Sequence, residues 1–214
     1  AGRNSADAVS MIQTAEGGAQ EIGDILSRMR ELAVESSSEV LQATERAYLE
    51  TEFDALQAEA ERISQSVEFN GLNLLDGTNT SVSVQVGIFN VTAEDRISVG
   101  LTAIDTTSLA VNSSAISVST VAGAQSALSA VDTAIDSLNS ARATYGADQN
   151  RLGSVIRNLE NYTENMVEAE SRIRDVDFAE VTASLTRNQI FQQAGLAVLS
   201  QANSAPSAAL ALMS

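Results

Sequence analysis

A mainly α-helical fold, an elongated antiparallel rod of coiled-coil-like helices with a small β-hairpin and a C-terminal helical tail, is predicted by three observations. First, residues 121–175 carry an apolar stripe at alternating spacings of three and four, from Leu128 through Val131, Ile135, Leu138, Tyr145, Leu152 and Ile156 to Met166 and Ile173. No proline interrupts it. Such a seam marks a helix packed lengthwise on other helices, and at about 1.5 Å per residue it spans roughly 80 Å. Second, residues 5–36 and 44–68 carry the same alternation. Third, residues 80–101 hold two runs with a period of two, the signature of a half-buried hairpin.

The first helix is expected over 5–36, with Ile12, Ala15, Ala19, Ile22, Leu26, Met29 and Ala33 on its inner face. Asn4 or Ser5 is the candidate N-cap. Gly17, Gly18 and Gly23 weaken a helix interior, and their small size lets a neighbour approach closely. Ile25 and Leu32 lie beside the stripe, one heptad apart. They form either a widened core face or a second contact surface, and periodicity favours the core.

Residues 36–43 read as a connection. Thr44 is the candidate N-cap of the second helix, with Glu45 in its first turn. Leu49, Phe53, Leu56, Ala60, Ile63 and Val67 make its apolar stripe. Its other faces are acidic, with Glu45, Glu50, Glu52, Asp54, Glu59 and Glu61, and read as a solvated surface.

Phe69-Asn70-Gly71 ends the helix, and Asn-Gly and Asp76-Gly77 are turn signals. Val82, Val84, Val86 and Ile88 share one face of a first strand; Ile97, Val99 and Leu101 share one face of a second. Residues 102–120, rich in Ser and Thr, read as a solvent-exposed loop with room for a short strand at Ala115–Val118. Thr120 is the candidate N-cap of the long helix. Arg174-Asp175-Val176-Asp177 is expected to break it. The last segment, 178–214, has a broad apolar face, and Pro206 is expected to interrupt its helix. Two parts follow: a rod domain over 1–177 and a tail over 178–214.

Composition narrows the function. The chain of 214 residues has 28 Asp+Glu against 12 Lys+Arg, a formal net charge of −16. That argues against nucleic acid, whose binding rests on cations at phosphates, and against an anionic membrane surface. There is no Cys and no His, so thiolate chemistry and the commonest general base are missing. Aromatics make up 4% of the chain, too few for an ordinary ligand pocket. No catalytic, metal or cofactor site is predicted, and a carboxylate-dependent enzyme is the weakest reading.

Six motifs then occur in order. Arg28-Met29-Arg30-Glu31-Leu32-Ala33-Val34 resembles the RxRELAV signature of bacterial flagellins. Phe69-Asn70-Gly71 with Leu74-Leu75, Val84-Gln85-Val86-Gly87, Asn150-Arg151-Leu152 and Ser171 to Asp177 (SRIRDVD) are similar to further motifs of that family. So is the tail run Gln192-Gln193-Ala194-Gly195, Gln201-Ala202-Asn203 and Pro206.

The resemblance implies a subunit that polymerises head to tail, with other flagellin copies, into the secreted, extracellular flagellar filament used for swimming. It implies that paired terminal helices form the filament core. The N-terminal partner helix would precede residue 1, so the chain is expected to be a fragment lacking it, its tail left without its usual partner. By resemblance, Phe178, Leu185, Ile190, Phe191 and Val198 are filament-core contacts, or contacts for the export chaperone that grips this segment. Arg28, Glu31, Leu32 and Glu52 match positions that contact neighbouring subunits or, in many flagellins, Toll-like receptor 5; Leu56 stands where the family carries a basic residue. A hook–filament junction protein of the same fold family is the alternative.

Overall fold

The computed structural model describes residues 1–174 and 178–211, with side chains up to residue 203. Among the described residues, nine elements follow one another: α1 (Gly2–Ser36), α2 (Ala43–Ser66), β1 (Glu68–Phe69), β2 (Leu72–Asn73), β3 (Ser81–Gln85), α3 (Thr92–Asp95), β4 (Arg96–Gly100), α4 (Val121–Arg174) and α5 (Phe178–Ala211). They divide into two compact units, Ala1–Asn161 and Tyr162–Ser214.

In the first unit the helical stripes meet in one core. Ile12, Ala15, Ala19, Ile22, Leu26, Met29 and Ala33 of α1 are each fully buried, with Phe53 of α2 and Val131, Leu138, Tyr145 and Leu152 of α4. Fully burying a large apolar side chain contributes roughly 1.5–3 kcal/mol, so this seam supplies the main cohesion of the unit. Leu32 is also fully buried, which makes the position beside the stripe part of the core. Two glycines admit close neighbours. A Cβ at Gly18 would lie 2.6 Å from Val67, and one at Gly23 would lie 3.1 Å from Leu138.

The helix starts differ from expectation. α1 begins at Gly2, ahead of the expected caps, and Asn4 instead donates through Nδ2 to the Gln85 carbonyl at 3.1 Å. α2 begins at Ala43, capped by Gln42 rather than Thr44: the Gln42 amide donates to Glu45 Oε2 at 2.8 Å, a reciprocal capping box. Thr120 does cap α4, its Oγ1 accepting from the Gly123 amide at 3.0 Å.

The β1–β2 pair is closed by Asn70 and Gly71, whose φ values of 53° and 77° are left-handed. That geometry is the one Asn-Gly tolerates in a two-residue hairpin. β3 and β4 pair antiparallel, Ser81 opposite Gly100 and Gln85 opposite Arg96. Val84, Val86, Ile97, Val99 and Leu101 are buried beneath them. β3 ends at Gln85, so Ile88 leaves the strand face and stands 70% exposed at the hairpin tip.

Residues 102–120 depart most from expectation. They contain no strand at 115–118 and are not a solvated loop. Ile104, Leu109, Val111, Ile116 and Val118 are buried in the core. The segment is a tandem pair of seven-residue units, Asp105–Val111 (DTTSLAV) and Asn112–Val118 (NSSAISV). Asp105 Oδ2 accepts from the Thr107 and Ser108 amides, both at 3.2 Å; Asn112 Oδ1 accepts from the Ser114 and Ala115 amides at 3.1 and 2.9 Å. Each unit thus caps its own turn with its first side chain and buries its fifth and seventh.

Two acids of α2 fasten this segment, so they are not part of a merely solvated face. Glu61 Oε2 accepts from the Thr106 amide and hydroxyl, and Glu50 accepts from the Val118 amide. Arg46, also buried, donates to the Ser36 carbonyl at 3.0 Å and the Ser38 carbonyl at 2.6 Å. It satisfies carbonyls that the end of α1 leaves open.

The second unit holds the end of α4 and α5. Met166 and Ile173, late members of the α4 stripe, are 54% and 86% exposed. The expected break of the long helix falls partly on 175–177, outside the described residues. α5 runs through Pro206 to Ala211 rather than stopping there. A proline forfeits one backbone hydrogen bond, and the Ala-rich flanks, Ala205, Ala208 and Ala209, lower part of that cost through their helix propensity.

Candidate interaction surfaces

Three of the four sequence-predicted contact residues of the first unit form one network. Arg28 on α1 bonds Glu31 one turn on, Nη1 to Oε2 at 2.9 Å. It also reaches across to Glu52 on α2, Nη2 to Oε1 at 2.7 Å. The helical spacing sets this up: three residues separate Arg28 from Glu31, placing them on one face. Glu31 first, and then Glu52, hold the guanidinium proton more firmly than usual. All three side chains remain exposed, so the pairs are screened by solvent and present a fixed charge pattern more than they add stability.

Leu32 does not join them at the surface. Its side chain is inside the core, so it cannot act as an exposed apolar anchor in this fold. Leu56, also on α2, is half-buried. Next to the network, Arg30 bonds Asp132 of α4 at 2.6 Å and ties the two helices together.

The tail residues behave differently. Phe178, Leu185, Ile190, Phe191 and Val198 are each more than half exposed. Phe178, Ile190 and Phe191 line one shallow apolar depression on α5 with Thr182 and Thr186. This exposed apolar surface is larger than single scattered surface residues would give.

A further exposed apolar cluster was hidden from sequence reasoning: Ile88, Phe89 and Val91 at the hairpin tip. The period-two pattern assigned Ile88 to the buried face, and only the end of β3 at Gln85 reveals the tip. Among the described residues, no three His, Cys, Asp or Glu side chains gather to hold a metal ion, and no helix is long and apolar enough to cross a membrane.

In the first unit α1, α2 and α4 share one apolar seam, and exposed charged and apolar patches lie outside it. The comparisons name the family. Residues 1–80 match the bacterial flagellin N-terminal helical region, and residues 128–213 match the bacterial flagellin C-terminal helical region. The chain is 43% identical over 213 residues to a flagellin of Halalkalibacterium halodurans, covering 100% of this chain and 77% of that protein. It is 34% identical over 224 residues to the flagellar filament 33 kDa core protein of Treponema phagedenis, covering 100% and 78%. The crystal structure of Bacillus cereus flagellin matches with a TM-score of 0.64 and 30% identity, over 79% of this chain and 95% of that one. The chain belongs to the bacterial flagellin family.

Proposed function

We propose that this chain is a structural subunit that polymerises with further flagellin copies into the flagellar filament, and that it acts outside the cell in swimming. The observation that carries this reading is the match of both flagellin helical regions, together with relatives named as flagellins and filament core proteins. These names favour the filament over the hook–filament junction. The family is a structural one, and its work is mechanical: packed helices transmit torque along a polymer.

Two partner surfaces follow as part of this reading. The exposed face of α5, with Phe178, Leu185, Ile190, Phe191 and Val198, suits the filament core after assembly and an export chaperone before it. Apolar burial on either partner would remove these side chains from water. The Arg28–Glu31–Glu52 network suits a polar contact, either with a neighbouring subunit or with Toll-like receptor 5. Leu32 supports that surface from beneath.

Electron microscopy and sedimentation velocity of the chain, with and without sheared flagellar filaments as seeds, test the reading. Growth of filaments from seeds is expected when a flagellin N-terminal helix is joined ahead of residue 1 to partner α5, and little or none without it. Failure to incorporate under all conditions would remove the filament assignment.

A further inference from the structure

Asn70 is the one asparagine of the chain that precedes a glycine. It and Gly71 form the turn between β1 and β2, and both are exposed. The Asn70 side chain makes no hydrogen bond to any described residue. Gly71 stands open: a Cβ there would meet nothing within 4 Å. Asparagines nearby and in the other loops are held. Asn4 donates to the Gln85 carbonyl at 3.1 Å, Asn73 to Asp76 Oδ2 at 2.8 Å and Asn79 to the Asn73 carbonyl at 3.2 Å. Asn90 Oδ1 accepts from Arg96, and Asn112 Oδ1 accepts from the Ser114 and Ala115 amides.

A free side-chain amide beside a glycine has a nucleophile within reach, the backbone nitrogen of that glycine. The missing Cβ lets the two approach. The turn itself opposes the approach. Asn70 has a φ of 53°, and in the left-handed conformation its Cβ lies nearly anti to the next nitrogen. A ring can close only after rotation about the Asn70 Cα–C bond, so the turn must open first. β1 and β2 have two residues each, and so short a pair opens locally with ease. Its base stays anchored, because the Leu74 amide donates to the Val67 carbonyl at 3.1 Å and Leu74 and Leu75 are buried.

We propose that Asn70 is a site of spontaneous covalent modification, gated by opening of the β1–β2 turn. Hydroxide takes the proton of the Gly71 amide as its nitrogen bonds to Asn70 Cγ. The Cγ–Nδ2 bond breaks, and Nδ2 leaves with a further proton as ammonia. Water then opens the resulting succinimide at either carbonyl. One product is aspartate; the other is isoaspartate, in which the main chain runs through the side-chain carbon. One water is consumed and one ammonia is released. Either product places a new carboxylate beside exposed Glu68 and on the hollow that Asn70 shares with Asp7. Asp-Gly still fits the turn. Isoaspartate does not, because it adds a main-chain atom to a two-residue loop matched to the twist of its strands. This inference does not depend on the filament reading.

The test holds the purified chain for weeks in warm, mildly alkaline heavy-oxygen water, with and without guanidinium chloride, then digests it in mild acid for mass spectrometry. Asn70 is expected to convert roughly tenfold or more faster than any other asparagine, since only it precedes a residue without a Cβ. Its product carries one heavy oxygen atom from the water. Guanidinium chloride, which keeps the turn open, is expected to speed the conversion by roughly threefold or more. Asn70→Gly fits the same turn and cannot react, so it keeps its unfolding midpoint through the incubation. The parent chain, in contrast, accumulates a species of lower midpoint. Another asparagine reacting first, an equal rate in guanidinium chloride, or an equal loss of midpoint in Asn70→Gly would each overturn the proposal.

Discussion

Glu61, on α2, takes two hydrogen bonds from Thr106, one from its backbone amide at 3.0 Å and one from its hydroxyl at 2.6 Å. A single carboxylate thereby anchors the middle of a segment with no regular secondary structure. Bonds to a charged acceptor are worth about 1.5–3 kcal/mol each when their loss strands a buried donor. Glu61→Ala is expected to lower stability by that order in urea unfolding, and to speed hydrogen exchange at the Thr106 amide. An unshifted midpoint would show that the segment is held by its apolar side chains alone.

The α4 stripe looks uniform in sequence, but its members differ in burial. Leu138 is 2% exposed and Met166 is 54% exposed. Leu138→Ala is expected to cost about 2–5 kcal/mol, through lost transfer energy and a cavity. Met166→Ala is expected to stay within about 0.5 kcal/mol in the unassembled chain. Equal losses in denaturant titrations would contradict the division of the chain into two units.

Tyr145 is fully buried, and its hydroxyl accepts from the Thr102 amide at 3.3 Å. Burial raises its phenol pKa above the ordinary value of about 10, and the Thr102 bond opposes this only in part. The folded state therefore keeps a proton that the unfolded chain releases. The stability from this group is complete below about pH 10 and is lost as pH rises toward the folded value. Unfolding midpoints measured from pH 8 to 12 should fall above about pH 10, and Tyr145→Phe should flatten that slope.

All twelve cations of the chain are arginine, against 28 carboxylates. At a net charge of −16 the subunit repels itself and its copies. Raising NaCl from about 20 mM to about 1 M shortens the screening length to a few ångströms. Both the thermal midpoint and the rate of seeded growth are expected to rise over that range. A fall in either would mean that specific ion pairs, rather than net repulsion, dominate.

The helices were legible because their apolar residues obey one period. Ile12 to Ala33 and Leu128 to Leu152 repeat at three and four, and both runs pack as that rule requires. Residues 104–118 were not legible, because Ile104, Leu109, Val111, Ile116 and Val118 are spaced five, two, five and two, matching neither helix nor strand. Nor could Glu50 and Glu61 be told from Glu45 or Glu59 in sequence, since their roles depend on a segment more than forty residues away. The family resemblance singled out Arg28, Glu31 and Glu52, which the fold joins in one ion-pair network, and it also singled out Leu32, which the fold buries. A motif preserves residue identity without saying which side of a helix faces out.

The seven-residue pair at Asp105–Val111 and Asn112–Val118 has a consequence for how such a chain can change length. Each unit carries its own cap and its own two apolar plugs, so it requires little from the unit beside it. Copying a unit would add a turn with its own cap and plugs, but it would part Thr106 from Glu61 or Val118 from Glu50, because both acids stand at fixed points on α2. Removing or adding three or four residues would also strand a cap without its turn. The distance between the two α2 anchors therefore acts as a ruler that sets the length of this segment.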